Sequence, residues 1–312
     1  MLSSSSSIMR TSPHSAHTSS GSTLRASIVV SPIAINSYIG KVYHVRIKLM
    51  KTLREYLTWA EKNKVAIGHF NVSDSMALKA IFESAQELKV PVIIGTSEGE
   101  ADFLERNLAS AMVQRLRADN KFPIFLNSDH AHSLDGVKKA VAAGYDAIIF
   151  DGSKLSFEEN IKQTKKAVEY IKSKSKDILV EGELGYIGGS SKILKEIPKD
   201  VSINPKDLTS PEDAARFVKE TGVDLLAPAV GNIHGMIGVG RNPRLDIARI
   251  KAIREAVSAP LVLHGGSGIS DKDFTAAINA GISIIHINTE IRLAWKNALK
   301  ESLSQNKDEV AP

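Results

Sequence analysis

Short apolar runs alternate with amphipathic segments from Val65 onward, which is the pattern of repeated strand and helix units. The runs are rich in β-branched residues and nearly continuous, as expected for parallel strands that helices cover from outside. There are eight of them: 65–72, 91–97, 123–130, 147–153, 178–185, 225–231, 261–268 and 283–290. Several of the helical segments between them begin at Ser or Asp in an N-cap position. The pattern predicts an α/β fold, a (β/α)8 TIM barrel, with an open doubly wound sheet as the alternative.

Residues 1–49 form a Ser-rich leader that lacks this pattern and contains too little apolar surface to fold. Because the leader carries Arg and Ser without any acid, it has the composition of a transit peptide. We favour a simpler interpretation, an upstream extension before an internal start at Met50. The expected organisation is therefore a disordered leader over 1–49 and one barrel domain over 50–312, with a cytoplasmic location.

The formal net charge of +5 has a local source in the leader. Residues 1–49 hold five of the 40 Lys and Arg and none of the 35 Asp and Glu, so the remaining chain is neutral. We therefore expect no nucleic-acid partner. No apolar run approaches the ~20 residues of a membrane span, so we expect no membrane partner either. The absence of cysteine excludes thiolate nucleophiles and Cys-ligated zinc.

Polar side chains cluster where the apolar runs end, which in a barrel is where reactive groups lie. All six histidines outside the leader fall there: His69, His130, His132, His234, His264 and His286. Histidine is the commonest metal ligand, and three imidazoles with an open fourth position form a catalytic zinc site. The spacing predicts a metal site without selecting the three ligands.

The carboxylates at these ends leave their roles open. Asp129 precedes His130 and could orient its imidazole or serve as an acid/base toward a substrate. Asp151 could bind a metal or form an ion pair at the barrel end. The same alternatives hold for Glu181 and Glu183, whose side chains alternation directs to one side of their strand.

Glycines accompany two of the histidines, in GNIHGMIG (231–238) and HGGSG (264–268). Glycine allows backbone N–H groups to approach an anion closely, and the loops after strands seven and eight are the usual phosphate site of barrel enzymes. The alternative is two ordinary turns before helices. The candidate phosphate contacts are Gly265, Gly266, Ser267, Asn288 and Thr289.

Taken in order, these segments resemble the class II, metal-dependent ketose-bisphosphate aldolases. The resemblance runs from about Met50 to Ser304. It rests on AIGHFNV, SDH with SLDGVKKAVAAGYDAIIFDGS, VEGELGYIGG, TGVDLLAPAVGNIHG, PLVLHGGSG and HINTEIRLAW. It implies one catalytic Zn²⁺ on His130, His234 and His264, with a possible second divalent position at Asp151 and Glu183.

The resemblance also implies the chemistry and the remaining site residues. Asp129 corresponds to the proton donor, and zinc stabilises the enediolate formed when the bond between the third and fourth carbons breaks. The implied substrate is a phosphorylated sugar, a ketose 1,6-bisphosphate. The expected assembly is a homodimer or homotetramer. Residues implied to contact the substrate are Asn71, Ser97, Gly235, Gly265, Gly266, Ser267, His286, Ile287, Asn288 and Thr289.

Three positions depart from the family pattern. Asn127 and His286 stand where histidine and asparagine are common, and Ser190 with Ser191 stands where the mobile loop usually carries acids. These departures leave open which ketose is cleaved and which base exchanges the ketone-side proton.

Three other functions compete with this one. A class I aldolase needs a Schiff-base lysine, and none lies in the eight runs. A metal-dependent hydrolase would use His130 and His132 as a pair. A non-catalytic sugar-phosphate-binding barrel is the third alternative.

Overall fold

The strands close into a barrel in the computed structural model, which describes residues 51–189, 191–201, 203–238, 242–305 and 307. The predicted leader therefore lies outside the described residues. The barrel strands are β1 Ile67–Asn71, β2 Val92–Ser97, β3 Ile124–Ala131, β4 Ala147–Phe150, β5 Leu179–Leu184, β7 Leu225–Pro228, β9 Leu261–Leu263 and β10 Ile282–Ile287. Their order around the barrel is β1-β10-β9-β7-β5-β4-β3-β2, with parallel neighbours throughout. The predicted TIM barrel is confirmed and the open-sheet alternative is wrong.

Helices cover the outside of the barrel, and most begin at the predicted caps. Ser133, Ser156, Ser210 and Ser270 each accept a hydrogen bond from the backbone N–H three residues later, which satisfies a free donor of the first turn. The helices are α1 Leu53–Asn63, α2 Ser75–Leu88, α3 Glu98–Leu104, α4 Arg106–Asn120, α5 Leu134–Ala142, α6 Phe157–Lys174, α7 Pro211–Thr221, α8 Ile247–Ala256, α9 Asp271–Ala280 and α10 Thr289–Gln305.

Four of the predicted strands extend three or more residues too far toward their carboxyl ends, and the runs 147–153 and 225–231 are strands only to Phe150 and Pro228. The run 261–268 is a strand only to Leu263, because Gly265 and Gly268 adopt positive φ angles of 61° and 83° that end the extended backbone. The run 283–290 ends at Ile287, and α10 begins two residues later. Consequently the glycine-rich segment and the start of α10 lie in the loops above the barrel.

A second, two-stranded parallel sheet was not predicted. It joins β6 Ile193–Leu194 to β8 Met236–Ile237 in the loops that follow β5 and β7. Two-residue strands carry too little periodicity for sequence patterns to indicate them. This small sheet ties together two loops at the carboxyl end of the barrel.

The barrel interior is apolar at its amino end and polar at its carboxyl end. Ile67, Phe125 and Leu179 pack inside the amino end against Leu53 and Leu57 of α1, which closes that end of the barrel. Alternation then directs polar residues inward further along the same strands. A larger apolar core fills the space between strands and outer helices. Within the described part of the chain, no helix combines the length and apolarity needed to cross a membrane.

Candidate active site

A cavity of about 480 Å³ opens at the carboxyl ends of the barrel strands. Loops that follow six of the eight strands contribute to its wall, so residues far apart in sequence meet there. Most of the predicted site residues line it: Asn71, Ser97, Asp129, His130, Asp151, His234, Gly235, Gly265, Ser267, His286, Asn288 and Thr289.

Three histidines converge at the floor of this cavity. His130 is the second-last residue of β3, His234 lies in the loop after β7, and His264 directly follows β9. One ring nitrogen from each lies within 4.8 Å of the other two. His130 has a left-handed backbone with φ of 56°, and the strand pairing shifts register around it. Such strain persists where the surrounding structure enforces it, often at functional sites.

The second nitrogen of each ring has a fixed hydrogen-bond acceptor. His130 Nδ1 lies 3.0 Å from Asp151 Oδ2, His234 Nδ1 lies 2.6 Å from the Gly188 carbonyl, and His264 Nε2 lies 2.7 Å from Glu181 Oε1. These acceptors fix the tautomer, as carboxylates and carbonyls do behind metal-binding histidines. The lone pairs left over belong to His130 Nε2, His234 Nε2 and His264 Nδ1.

Two of these free lone pairs face each other. His264 Nδ1 lies 3.1 Å from His130 Nε2, and when both rings are neutral in the tautomers above neither nitrogen carries a hydrogen. Two ligand nitrogens around a tetrahedral Zn²⁺, with bonds of about 2.0–2.1 Å, stand about 3.3 Å apart. The donor set and its spacing therefore fit a divalent cation such as zinc.

The electrostatics of the site also favour a cation. Burial alone would lower the pKa of His130, but the charges of Asp129 and Glu183 raise it well above its usual value. Burial, helped by the charge of Asp151, raises the pKa of Glu183. Burial and the neighbouring histidines lower the pKa of His234 to about 3. The carboxylates thus favour a positive charge at this site. His234 stays neutral, as a histidine must in order to bind a metal.

The two candidate ligands of a second metal lie on the outer side of His130. Glu183 Oε2 is 3.1 Å from the His130 Nδ1 atom whose hydrogen points to Asp151. His130, Asp151 and Glu183 form a separate cluster with its ligand atoms within 4.8 Å. Glu183 is almost fully buried below the cavity.

Asp129 projects into the cavity beside the three histidines. Its Oδ2 accepts a 2.8 Å hydrogen bond from Asn71 Nδ2, whereas Oδ1 has no hydrogen-bond donor among the described residues. Burial would raise the pKa of Asp129, but the charge of His130 and the nearby His286 ring, whose Nδ1 lies 3.5 Å from Oδ1, hold it well below the usual range. The carboxylate is therefore oriented, ionised and available to accept a proton.

The glycine-rich loop after β9 lies against the loop after β7. A side chain at Gly265 would collide with the Ile233 carbonyl, so only glycine fits. Two predicted substrate contacts do not line the cavity. The Gly266 N–H is taken by the His286 carbonyl at 2.9 Å, and the Ile287 side chain packs in the outer core.

Three imidazoles stack beneath the cavity. The ring of His286 lies parallel to that of His69 at 3.5 Å between centroids, and 4.1 Å from that of His264. His69 is fully buried, and neither of its ring nitrogens has a hydrogen-bond partner in the described structure. Asn127 is buried too, with its Oδ1 lacking a donor there. His286 is thus held between a candidate metal ligand and His69.

Several residues of the cavity were missed by the sequence reasoning. Lys154, Tyr186, Lys192 and Arg292 line it, and Glu100 lies just behind its wall. Among them only Glu100 had a local signal, the Ser-x-x-Glu spacing of a capping box at α3. Ser191 lines the cavity as well, whereas Ser190 lies outside the described residues.

Comparisons with known proteins agree on one family. Residues 51–312 match the family model described as Fructose-bisphosphate aldolase class-II. Fructose-bisphosphate aldolases of Staphylococcus aureus (strain Mu50) and Geobacillus stearothermophilus are each 35% identical over 264 residues, covering 84% of this chain and 88% of the relative.

Solved structures give the same result. The YdjI aldolase of Escherichia coli K12 is 33% identical with a TM-score of 0.68, over 84% of this chain and 88% of that one. Fructose-bisphosphate aldolase of Campylobacter jejuni, at 24% identity and a TM-score of 0.69, shares the fold over 85% of this chain and 84% of its own.

Proposed function

The chain belongs to the class II fructose-bisphosphate aldolase family, and from this premise we propose that it reversibly cleaves a ketose 1,6-bisphosphate. Family membership makes it a metal-dependent lyase. We expect fructose 1,6-bisphosphate to be the substrate and dihydroxyacetone phosphate and glyceraldehyde 3-phosphate to be the products. Tagatose 1,6-bisphosphate or another phosphorylated ketose is the alternative.

The metal proposal assigns one Zn²⁺ to His130, His234 and His264. The observation that carries it is the pair of ring nitrogens facing each other at 3.1 Å, with acceptors for the second nitrogen of all three rings. When bound, Zn²⁺ supplies Lewis-acid stabilisation of the negative charge that develops on the ketone side of the substrate. Asp151 and Glu183 are proposed as ligands of a second or alternative divalent position.

Asp129 is proposed as the acid/base of the bond-breaking step. During cleavage it accepts the proton of the fourth hydroxyl, and during condensation it returns that proton. Its low pKa keeps it ionised at neutral pH, and Asn71 fixes one of its oxygens so that the other can face the substrate.

One phosphate is proposed to bind where the loops after β7, β9 and β10 meet. Gly235, Gly265, Ser267 and Thr289 line the cavity there, and α10 begins at Thr289. Backbone N–H groups at the start of a helix attract anions, and glycine lets a phosphate approach them closely. Holding this phosphate would place the reacting carbons beside the three histidines.

We propose a homodimer or homotetramer as the assembly. Trp295, Leu299 and Leu303 form an exposed apolar stripe along α10, at the spacing of one helix face. An apolar stripe of this kind is suited to burial against another protein surface. Sedimentation of the purified protein would test the assembly.

Metal content and a coupled cleavage assay test the main proposal. We expect about one zinc per chain and cleavage of a ketose bisphosphate that a chelator abolishes and added zinc restores. Cleavage that persists in excess chelator, with borohydride trapping the substrate on a lysine, would refute the metal mechanism. Binding of sugar phosphates without turnover would support the non-catalytic barrel instead.

A panel of phosphorylated ketoses tests the substrate. We expect fructose 1,6-bisphosphate to have the highest kcat/KM in the wild type. His286 lines the cavity 3.5 Å from Asp129, so His286→Asn is expected to change the order of preference. An unchanged order would contradict a role of His286 in substrate choice.

A further inference from the structure

Glu100 is a buried carboxylate behind the cavity wall, on the first turn of α3. Its Oε2 accepts hydrogen bonds of 2.8 Å from Asn71 Nδ2, the Ser97 N–H and the Ser97 hydroxyl. Its Oε1 accepts from Asn288 Nδ2 at 3.4 Å and forms an ion pair with Arg292. The side chain of Glu100 is only 4% exposed, whereas the four residues that contact it all line the cavity.

Through Asn71, Glu100 is connected to the candidate acid/base. The two hydrogens of Asn71 Nδ2 are shared between Glu100 Oε2 and Asp129 Oδ2, each at 2.8 Å. An amide group held by two carboxylates cannot rotate without losing both bonds. Glu100 therefore fixes Asn71, and Asn71 fixes one oxygen of Asp129.

Glu100 also determines which hydrogen-bond donors and acceptors the cavity wall presents to a ligand. The hydroxyl hydrogen of Ser97 points to Glu100, so the Ser97 oxygen can only accept from a ligand. Asn288 directs its amide hydrogen to Glu100, which leaves its Oδ1 without a donor in the described structure. Arg292 uses one terminal nitrogen for Glu100 and keeps other N–H groups for an anion.

We propose that Glu100 is a positioning residue for the aldehyde half of the substrate. It acts through two separate oxygens. Oε2 aligns Asp129 by way of Asn71, and Oε1 holds Arg292 in place for the terminal phosphate of the aldehyde. The proposal rests on the proposed aldolase function and predicts that the ketone half of the reaction does not need Glu100.

A purely structural role for Glu100 is the competing explanation, because its contact with Ser97 is a capping box for α3. The chain provides a matched control. Glu55 occupies the same position in the capping box of α1, with Thr52 as the N-cap, and it is exposed and far from the cavity in the fold. Glu55→Gln therefore measures the effect of removing the charge from a capping box alone.

The Glu100→Gln variant separates the two oxygens of Glu100. Its amide oxygen can replace Oε2 and keep the cap and Asn71, whereas its NH₂ group would face Arg292 and Asn288 and cannot accept from them. We expect KM for the bisphosphate to rise about ten-fold with little change in kcat, as a charge-assisted hydrogen bond is lost. Glu100→Ala removes both oxygens and is expected to lower kcat by about a further ten-fold.

The ketone half of the reaction can be measured alone. NMR follows the exchange of the C3 hydrogen of dihydroxyacetone phosphate with deuterium from the solvent. We expect both Glu100 variants to keep wild-type exchange within about two-fold, and Glu55→Gln to match the wild type in every assay. Equal losses of exchange and cleavage in Glu100→Gln, or no loss of either, would overturn the proposal. If Glu100→Ala does not fold, Glu100→Gln alone decides. Wild-type protein that neither cleaves nor exchanges would instead refute the proposed function.

Discussion

Burial and charge assign different roles to chemically similar side chains in this site. Asp129 and Glu183 both lie near His130, yet the pKa of Asp129 is held low and that of Glu183 is raised. The pKa values of two histidines also shift in opposite directions, because carboxylates raise the pKa of His130 while burial lowers that of His234, although both are proposed to bind the metal. The roles we propose follow from these surroundings rather than from residue type.

Asp129→Asn tests the acid/base role at this scale. The variant keeps an oxygen for the Asn71 hydrogen bond but cannot accept the proton of the fourth hydroxyl. We expect kcat for cleavage to fall by about 10²–10⁴ while solvent exchange of dihydroxyacetone phosphate stays within about two-fold. Asp135→Asn, an exposed carboxylate paired with Lys139 on α5, is the control and is expected to be silent. Cleavage within ten-fold of wild type would exclude Asp129 as the base.

His69 is expected to make stability depend on pH. Burial, together with the charges of His264 and His130, lowers the pKa of His69 to about 4, although the charge of Asp129 acts in the opposite direction. Between pH 6.5 and pH 4 the His69 side chain is therefore neutral in the folded protein, whereas in the unfolded chain it binds a proton near pH 6.5. Its contribution is complete above pH 6.5 and is lost as the pH falls toward 4, by up to about 3 kcal/mol.

Urea unfolding of the metal-free protein at pH 7 and pH 4.5 measures this effect. His69→Gln is expected to lose less stability between the two pH values than the wild type. For each protein we take the change in the free energy of unfolding between the two pH values and compare these two changes. Any effect of the substitution that does not depend on pH therefore cancels. Identical pH dependence in the two proteins would argue that His69 is protonated when folded.

At the scale of the element, polar side chains follow most of the barrel strands at their carboxyl ends. The sequence was sufficient to predict the eight strands and the clustering of polar residues at their ends, because continuous β-branched runs and the polar residues after them are both local signals. It did not select the three candidate ligands from six histidines, since their convergence depends on how the strands close. Glu100 was missed because its partners Asn71, Asn288 and Arg292 come from other elements.

Gly265→Ala tests the loop after β9. With φ of 61° and the Ile233 carbonyl against it, alanine would be strained by about 1–2 kcal/mol and would also displace the loop. We expect a lower Tm and a KM for dihydroxyacetone phosphate, measured by solvent exchange, that rises about ten-fold if about 1.4 kcal/mol of anion binding depends on this loop. Gly144→Ala, with φ of 77° at the end of α5 and a side-chain neighbour only, should lower Tm without changing KM.

At the scale of the whole molecule, stability and chemistry occupy opposite ends of the barrel. Helix α1 packs Leu53, Tyr56, Leu57 and Ala60 into the amino end, whereas the polar layer and the cavity lie at the carboxyl end. Closure could be predicted from the number of strands. The position of α1 could not, because its amphipathic pattern indicates a buried face without saying which surface covers it.

Leu57→Ala should therefore separate stability from activity. Leu57 is 3% exposed, and truncation is expected to lower the free energy of unfolding by about 2–5 kcal/mol. Both kcat and KM should remain within about two-fold of wild type at a temperature where the variant is folded. Leu108→Ala, at an exposed leucine on α4, should change neither stability nor kinetics. A large change in KM for Leu57→Ala would contradict this separation.

The small sheet of β6 and β8 has a thermodynamic consequence. It joins the loop whose Gly188 carbonyl orients His234 to the loop that carries His234 itself. The ordering of these two loops and the orientation of His234, a candidate metal ligand, are therefore thermodynamically linked. By reciprocity, whatever orders the two loops should tighten metal binding by the same factor by which the metal favours the ordered loops.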